Sequence, residues 1–179
     1  MIQTLKIIQQ NHKQFYKDCL IAKERFDIKF PNQSSTWNYQ VYNIFNLTFG
    51  SPYFYELFFE LKKQIRKYLK TKEPLWMQAW LNFHQENEVL DWHHHENCRC
   101  HGYLSINPES TKTIFEDQEI KNKIGLLYIG PSDKRHKVVV LKPFKKVRVT
   151  IAFDVFNIMD YKEVCRKYNK NINISLIPI

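Results

Sequence analysis

Glycine is scarce: four residues in 179, which argues against a glycine-rich loop or a collagen-like repeat. Long apolar runs are missing, so no stretch predicts a membrane-spanning helix. The first residues, Met1-Ile-Gln-Thr-Leu-Lys-Ile-Ile, lack the basic-then-apolar layout of a secretory leader. These absences predict a cytoplasmic protein with no membrane partner. The four cysteines, Cys19, Cys98, Cys100 and Cys165, are then expected as reduced thiols. No zinc-finger spacing, RNP-type run or continuous basic tail occurs, and there is no internal repeat or low-complexity tract.

What is present is enough to bury a core. The chain is 44% hydrophobic and 15% aromatic, which predicts a folded globule, and its length predicts a single domain, 1–179. The net charge of +9 permits an anionic partner, either nucleic acid or an acidic small molecule. The lysines are spread through the chain, so a solvated basic surface is the simpler reading and nucleic acid is not favoured.

The first half reads as helical. Gln9 to Phe26 sets Phe15, Cys19 and Ala22 at helical spacing. Pro31 to Thr36 reads as a loop, and Trp37 to Phe45 as an early strand. The clearest helix runs from Pro52 to about Leu69, with Ser51 a suitable N-cap and Pro52 a suitable first residue. Phe54, Leu57, Phe58, Leu61, Ile65, Tyr68 and Leu69 make one apolar stripe. Lys62, Lys63, Arg66, Lys67 and Lys70 lie mostly opposite and toward the C-terminal end, where cations suit the helix dipole.

From Leu75 the period becomes two. Strands are expected at Leu75–Phe83, Val89–His95, Gly102–Ile106, Thr113–Phe115, Gly125–Ile129, Lys137–Leu141 and Val147–Phe156. Polar or turn segments separate them, among them Asp117–Asn122 and Pro131–Arg135. Such a series predicts an antiparallel sandwich or barrel. Tyr161–Tyr168 reads as a short helix and Ile172–Ile179 as a returning edge strand.

Chemistry concentrates in Asp91-Trp-His-His-His-Glu-Asn-Cys-Arg-Cys-His101, where four of seven histidines fall within nine residues. Imidazole is the commonest metal ligand. On a strand, His93 and His95 share one face while His94 and Glu96 share the other, so two ligand pairs are open. The second pair, with a distant histidine, would make a two-histidine, one-carboxylate site. A third ligand is sought at His136, which opens a strand after the Pro131 turn. Arg148 and Thr150 share one face of an apolar strand whose other face is Val147, Val149 and Ile151. An arginine there needs an anion: an internal acid, or the carboxylate of a ligand. Cys98, Cys100 and His101 could join His93 or His95 in a structural zinc site, but Cys-x-Cys spacing is poor for it. Cys98 and Cys100 are expected instead as small lining residues.

These pieces resemble the 2-oxoglutarate- and Fe(II)-dependent oxygenases, most nearly the small members of phages and marine bacteria. The matching residues are Trp80-Leu81-Asn82, His93-His94-His95, His101-Gly102-Tyr103-Leu104, Gly125 to Ser132, His136-Lys137-Val138 and Arg148-Val149-Thr150. They cover about residues 75–156 in the family's order. The residues themselves then give helical support over 1–74 and a C-terminal extension over 157–179, so the fold expected is mainly β with N-terminal helices. The resemblance implies a double-stranded β-helix, or jelly roll, as the core over 75–156. It also implies Fe(II) held by His93, His95 and His136, and 2-oxoglutarate held at its far carboxylate by Arg148 with Thr150, Tyr103 and Asn82. Oxidative decarboxylation to succinate and CO2, coupled to hydroxylation of a second substrate, would follow. One departure stands out: better-known members carry Asp or Glu where this chain has His95. Two other functions fit the same residues. One is a cupin-like three-histidine dioxygenase that needs no 2-oxoglutarate, with Arg148 holding a substrate carboxylate. The other is a non-catalytic, metal-stabilised basic module.

Overall fold

The computed structural model describes residues 1–29, 42–48, 50–86, 88, 90–167 and 175–179. Strand β1 (Ile2–Thr4) leads into helices α1 (Lys6–Gln10), α2 (His12–Lys29), α3 (Ile44–Thr48) and α4 (Pro52–Leu69). Eight strands follow: β2 (Trp76–His84), β3 (Leu90–His93), β4 (Cys100–Asn107), β5 (Thr111–Phe115), β6 (Glu119–Lys121), β7 (Leu126–Gly130), β8 (His136–Val140) and β9 (Arg148–Phe156). Helix α5 (Ile158–Lys167) and the short strand β10 (Ile177–Pro178) close the described chain.

The pairing pattern defines the fold. Strands β2, β3, β4 and β5 pair antiparallel with β9, β8, β7 and β6 in turn. That is one long two-stranded ribbon, closed at the β5–β6 end and wound between two sheets. One sheet has the order β1-β7-β4-β9-β2-β10 and the other β3-β8-β5-β6. This is a double-stranded β-helix, as the resemblance implied, and it meets the antiparallel sandwich or barrel that the spacing predicted.

Alternation along the larger sheet separates core from cavity. Met77, Ala79 and Leu81 of β2 and Val149, Ile151, Phe153 and Val155 of β9 join one buried cluster with Phe15, Cys19 and Phe26 of α2 and Phe54, Leu57, Leu61 and Ile65 of α4. The helices therefore roof the outer face of this sheet. The inner face carries Trp80, Asn82, Arg148, Thr150 and Ala152. Both faces are covered, so β4 is buried at every position, including the polar His101, Ser105 and Asn107 that alternate with its apolar residues. Gly102 sits where the sheet leaves no room: a Cβ there would lie 2.3 Å from the ring of Phe153 and from the Tyr128 carbonyl oxygen.

Helix α4 has the predicted bounds, and Lys70 ends it in the left-handed conformation at φ 52°. Ser51 does not cap it; its hydroxyl lies 2.5 Å from Asp18 Oδ2. Arg66 of the basic face is structural, bonding the carbonyl oxygens of Thr71 and Glu73 and that of Ile179. Several expectations are corrected. The helix over Gln9–Phe26 is two helices that meet at Asn11. The turn at Asp117–Asn122 contains β6, paired with β5 at the closed end of the ribbon. Of the early strand expected at Trp37–Phe45, residues 37–41 lie outside the described residues, as does the loop 31–36, and Ile44–Phe45 are helical. The last helix starts earlier than expected, at Ile158. Among the described residues no helix is long and apolar enough to cross a membrane.

Candidate metal centre and its cavity

His93, His95 and His136 come together, with one possible ligand atom from each lying within 4.8 Å of the others. Strand pairing places two of them: β3 and β8 run antiparallel with His93 opposite His136. Their ring centres are 4.2 Å apart. His95 arrives by a different route from the one alternation suggested. Strand β3 ends at His93, and His95 lies beyond it, anchored by its N–H to the Ser132 carbonyl at 3.0 Å. The Pro131–Arg135 turn thus serves two ligands, holding His95 and delivering His136.

Each of the three rings meets an oxygen at Nδ1. His93 Nδ1 is 2.7 Å from the Asp91 carbonyl, and His136 Nδ1 is 3.3 Å from that of Lys134. His95 Nδ1 is 2.7 Å from Asp154 Oδ1, close though not well aligned. An oxygen acceptor at Nδ1 puts the proton there and the lone pair on Nε2, the arrangement metal-bound histidines use. Burial is the largest influence on His136, whose pKa falls to about 3, with His93 and His95 pushing the same way. His93 is also lowered, mainly by burial. Neutral imidazole is the form that ligates a cation. The donor set therefore fits a divalent metal such as Fe(II), Co(II) or Zn(II).

The alternative register is placed elsewhere. His94 and Glu96 are exposed and pair with each other, Nε2 to Oε1, at 3.4 Å. The expectation that Cys98 and Cys100 line the site is corrected, and the disfavoured zinc site is not assembled from the described residues. Cys98 packs against Phe156 and Val164, and Cys100 lies in the main core. Neither cysteine lines the cavity, and burial raises both thiol pKa values far above the ordinary range. His101 alone of that trio faces the cavity.

The cavity runs from the histidines to Arg148, walled by Trp80, Val138 and Ala152. Arg148 is 3% exposed, yet no carboxylate pairs with it among the described residues. Its Nη1 lies 2.8 Å from Nδ1 of His84, and its Nε has no partner. Burial lowers the arginine pKa to about 10, and it lowers His84 to about 3 with Arg148 as the second cause. A neutral histidine holds the cation, then, without neutralising it. Asn82 Nδ2 reaches Thr150 Oγ1 at 3.5 Å, and Tyr103 donates to Asn122 Oδ1 at 3.1 Å; all three pocket residues, Asn82, Thr150 and Tyr103, line this end. His84 and Asp154 were missed from sequence. The signal existed: alternation from Asn82 points to His84, and alternation from Arg148 through Thr150 points to Asp154. Register confirms the layout, with His84 opposite Arg148 and Asn82 opposite Thr150.

No family model and no curated protein matches the chain. Solved structures do show similarity. A cupin-2 domain protein from Shewanella frigidimarina is 19% identical, with a TM-score of 0.34 over 43% of this chain and 68% of that one. KdgF from Halomonas sp. is 16% identical, with a TM-score of 0.38 over 48% and 74%. An oxidoreductase of the 2OG-Fe(II) oxygenase family from Burkholderia pseudomallei is 9% identical, with a TM-score of 0.48 over 59% of each chain. These are likenesses of fold and carry no weight for activity.

Proposed function

We propose that the protein is a non-haem Fe(II)- and 2-oxoglutarate-dependent oxygenase that hydroxylates a second substrate, releasing succinate and CO2. The observation that carries this reading is a single cavity with three imidazoles at one end and an unneutralised guanidinium at the other. His93, His95 and His136 would hold the iron through Nε2. Bound there, Fe(II) supplies the redox chemistry that dioxygen activation needs.

The chain's own groups do the rest. Arg148 receives the far carboxylate of the co-substrate, since a buried guanidinium with a free Nε gains most from a planar anion. His84 stays neutral and fixes the guanidinium's direction. Thr150, Asn82 and Tyr103 offer further hydrogen bonds to the same carboxylate. Trp80, Val138 and Ala152 give the cavity apolar walls, which exclude water and strengthen such contacts. The second substrate is unassigned; a net charge of +9 suits an anionic one.

The test is anaerobic. Fe(II)-loaded protein is titrated with 2-oxoglutarate while the weak visible absorption of a keto-acid chelate is followed, then air is admitted and succinate is measured. Wild type should give both signals and His136→Ala neither. Iron uptake without absorption or succinate would defeat the 2-oxoglutarate assignment. It would favour the second reading, a three-histidine dioxygenase whose substrate carboxylate sits on Arg148. One observation favours that reading: an all-imidazole ligand group. Failure to take up any metal would leave the basic binding module.

A further inference from the structure

A fourth histidine stands beside the metal centre with no role in the proposal above. His101, on β4, is 1% exposed and lines the cavity. Its ring centre is 4.4 Å from that of His95, 4.9 Å from that of His136 and 5.7 Å from that of Tyr128. It is outside the group of three whose ligand atoms lie within 4.8 Å of one another. Neither ring nitrogen makes a hydrogen bond of acceptable geometry. Leaving a buried donor or acceptor unmet is costly, and a neutral imidazole carries one of each.

An imidazole carries an N–H in either protonation state, so His101 has one to give. The ring is wedged among His95, His136 and Tyr128, so its direction is set before any ligand arrives. Three protein ligands would leave a metal positions open to a small molecule from the cavity. His101 lines that cavity and packs on two of the ligands. A ligand in such a position meets a dication and, further in, the Arg148 cation, so an anion is favoured.

We propose that His101 is the hydrogen-bonding partner of the small anion or molecule that occupies an open coordination position of the metal held by His93, His95 and His136. This rests on the metal-site reading, but it is the same whether or not 2-oxoglutarate is the co-substrate. His101 is not a fourth ligand: it acts on what the metal binds, not on whether the metal binds.

The experiment loads wild type, His101→Phe and His101→Gln with Co(II), then titrates each with azide and follows the visible Co(II) bands. Co(II) affinity should stay within ~3-fold in both variants, while azide affinity falls ~10-fold or more in His101→Phe, the loss expected for a hydrogen bond to a charged group. His101→Gln, which keeps an N–H donor, should recover most of it. Unchanged azide affinity in His101→Phe with Co(II) intact overturns the proposal. So does loss of Co(II) from both variants, which would make His101 a ligand itself. Should wild type take up no Co(II), the metal reading fails as well, and that outcome is distinct from both others.

Discussion

The two ends of the cavity are built by opposite means. At the histidine end, short backbone contacts and one carboxylate fix three imidazole rings, and the cation must come from outside as a metal. At the other end the charge is already in place: Arg148 is buried on a neutral histidine, with an orphaned Nε and no acid nearby among the described residues. One end lacks a cation and the other lacks an anion. On the proposed reading, a molecule that chelates a metal and carries a distant carboxylate would serve both ends. The difference in construction also predicts separable failures.

The largest effect should come from His136→Ala. It removes one of three ligands, and metal affinity measured by calorimetry should fall beyond detection while the fold persists by circular dichroism. Arg148→Ala should do the reverse. Metal binding stays near wild type, and affinity for 2-oxoglutarate drops about 100-fold, as expected when a charge-assisted fork is lost. If co-substrate affinity were unchanged in Arg148→Ala, the two-ended account would collapse to one end. Asp154→Asn is intermediate. The carboxylate that orients His95 disappears, so metal affinity should fall ~10–100-fold with the arginine end untouched.

A smaller, graded effect concerns pH. The folded pKa of His84 is depressed to about 3 from an unfolded value of 6.5. Below pH 6.5 the unfolded chain binds a proton that the folded chain refuses, so stability present above that pH is lost as pH falls toward 3. Each such group contributes a slope of about 1.4 kcal/mol per pH unit over its window. Urea denaturation of metal-free protein between pH 7 and 4 should show this loss, and His84→Asn should flatten it by one proton. A slope identical in wild type and His84→Asn would mean His84 is not held neutral. Smallest of all, Thr150→Val should weaken 2-oxoglutarate only a few-fold, since Thr150 offers one neutral hydroxyl beside a cation.

The strands from Trp76 onward were legible because alternation is a local property. Val149, Ile151 and Phe153 on one face and Arg148 and Thr150 on the other can be read from ten consecutive residues. So could helix α4, whose apolar stripe and Ser-Pro start lie within one segment. Strand β6 was not legible, because Glu119-Ile-Lys is too short to show a period, and it forms only by pairing with β5. Strand β1 is similar: it exists as an antiparallel partner of β7, with Thr4 paired to Leu126, 122 positions away.

At the site, residue types were legible and their assembly was not. The sequence by itself determined that imidazoles cluster at 93–95, that His136 follows a proline turn, and that an arginine sits in an apolar strand. It left His93/His95 and His94/Glu96 both open, because alternation gives two faces without saying which is inside. Tertiary structure decided that point: β3 stops at His93, and the Ser132 carbonyl takes the His95 N–H, turning that ring inward while His94 and Glu96 remain in solvent. It also decided what surrounds Arg148. Whether a buried cation meets an acid, a neutral histidine or nothing depends on the neighbouring strand's register, and β2–β9 pairing sets His84 there. Local physics governs which face a side chain takes. Only the closed ribbon, bringing positions tens of residues apart within hydrogen-bond reach, governs what it meets.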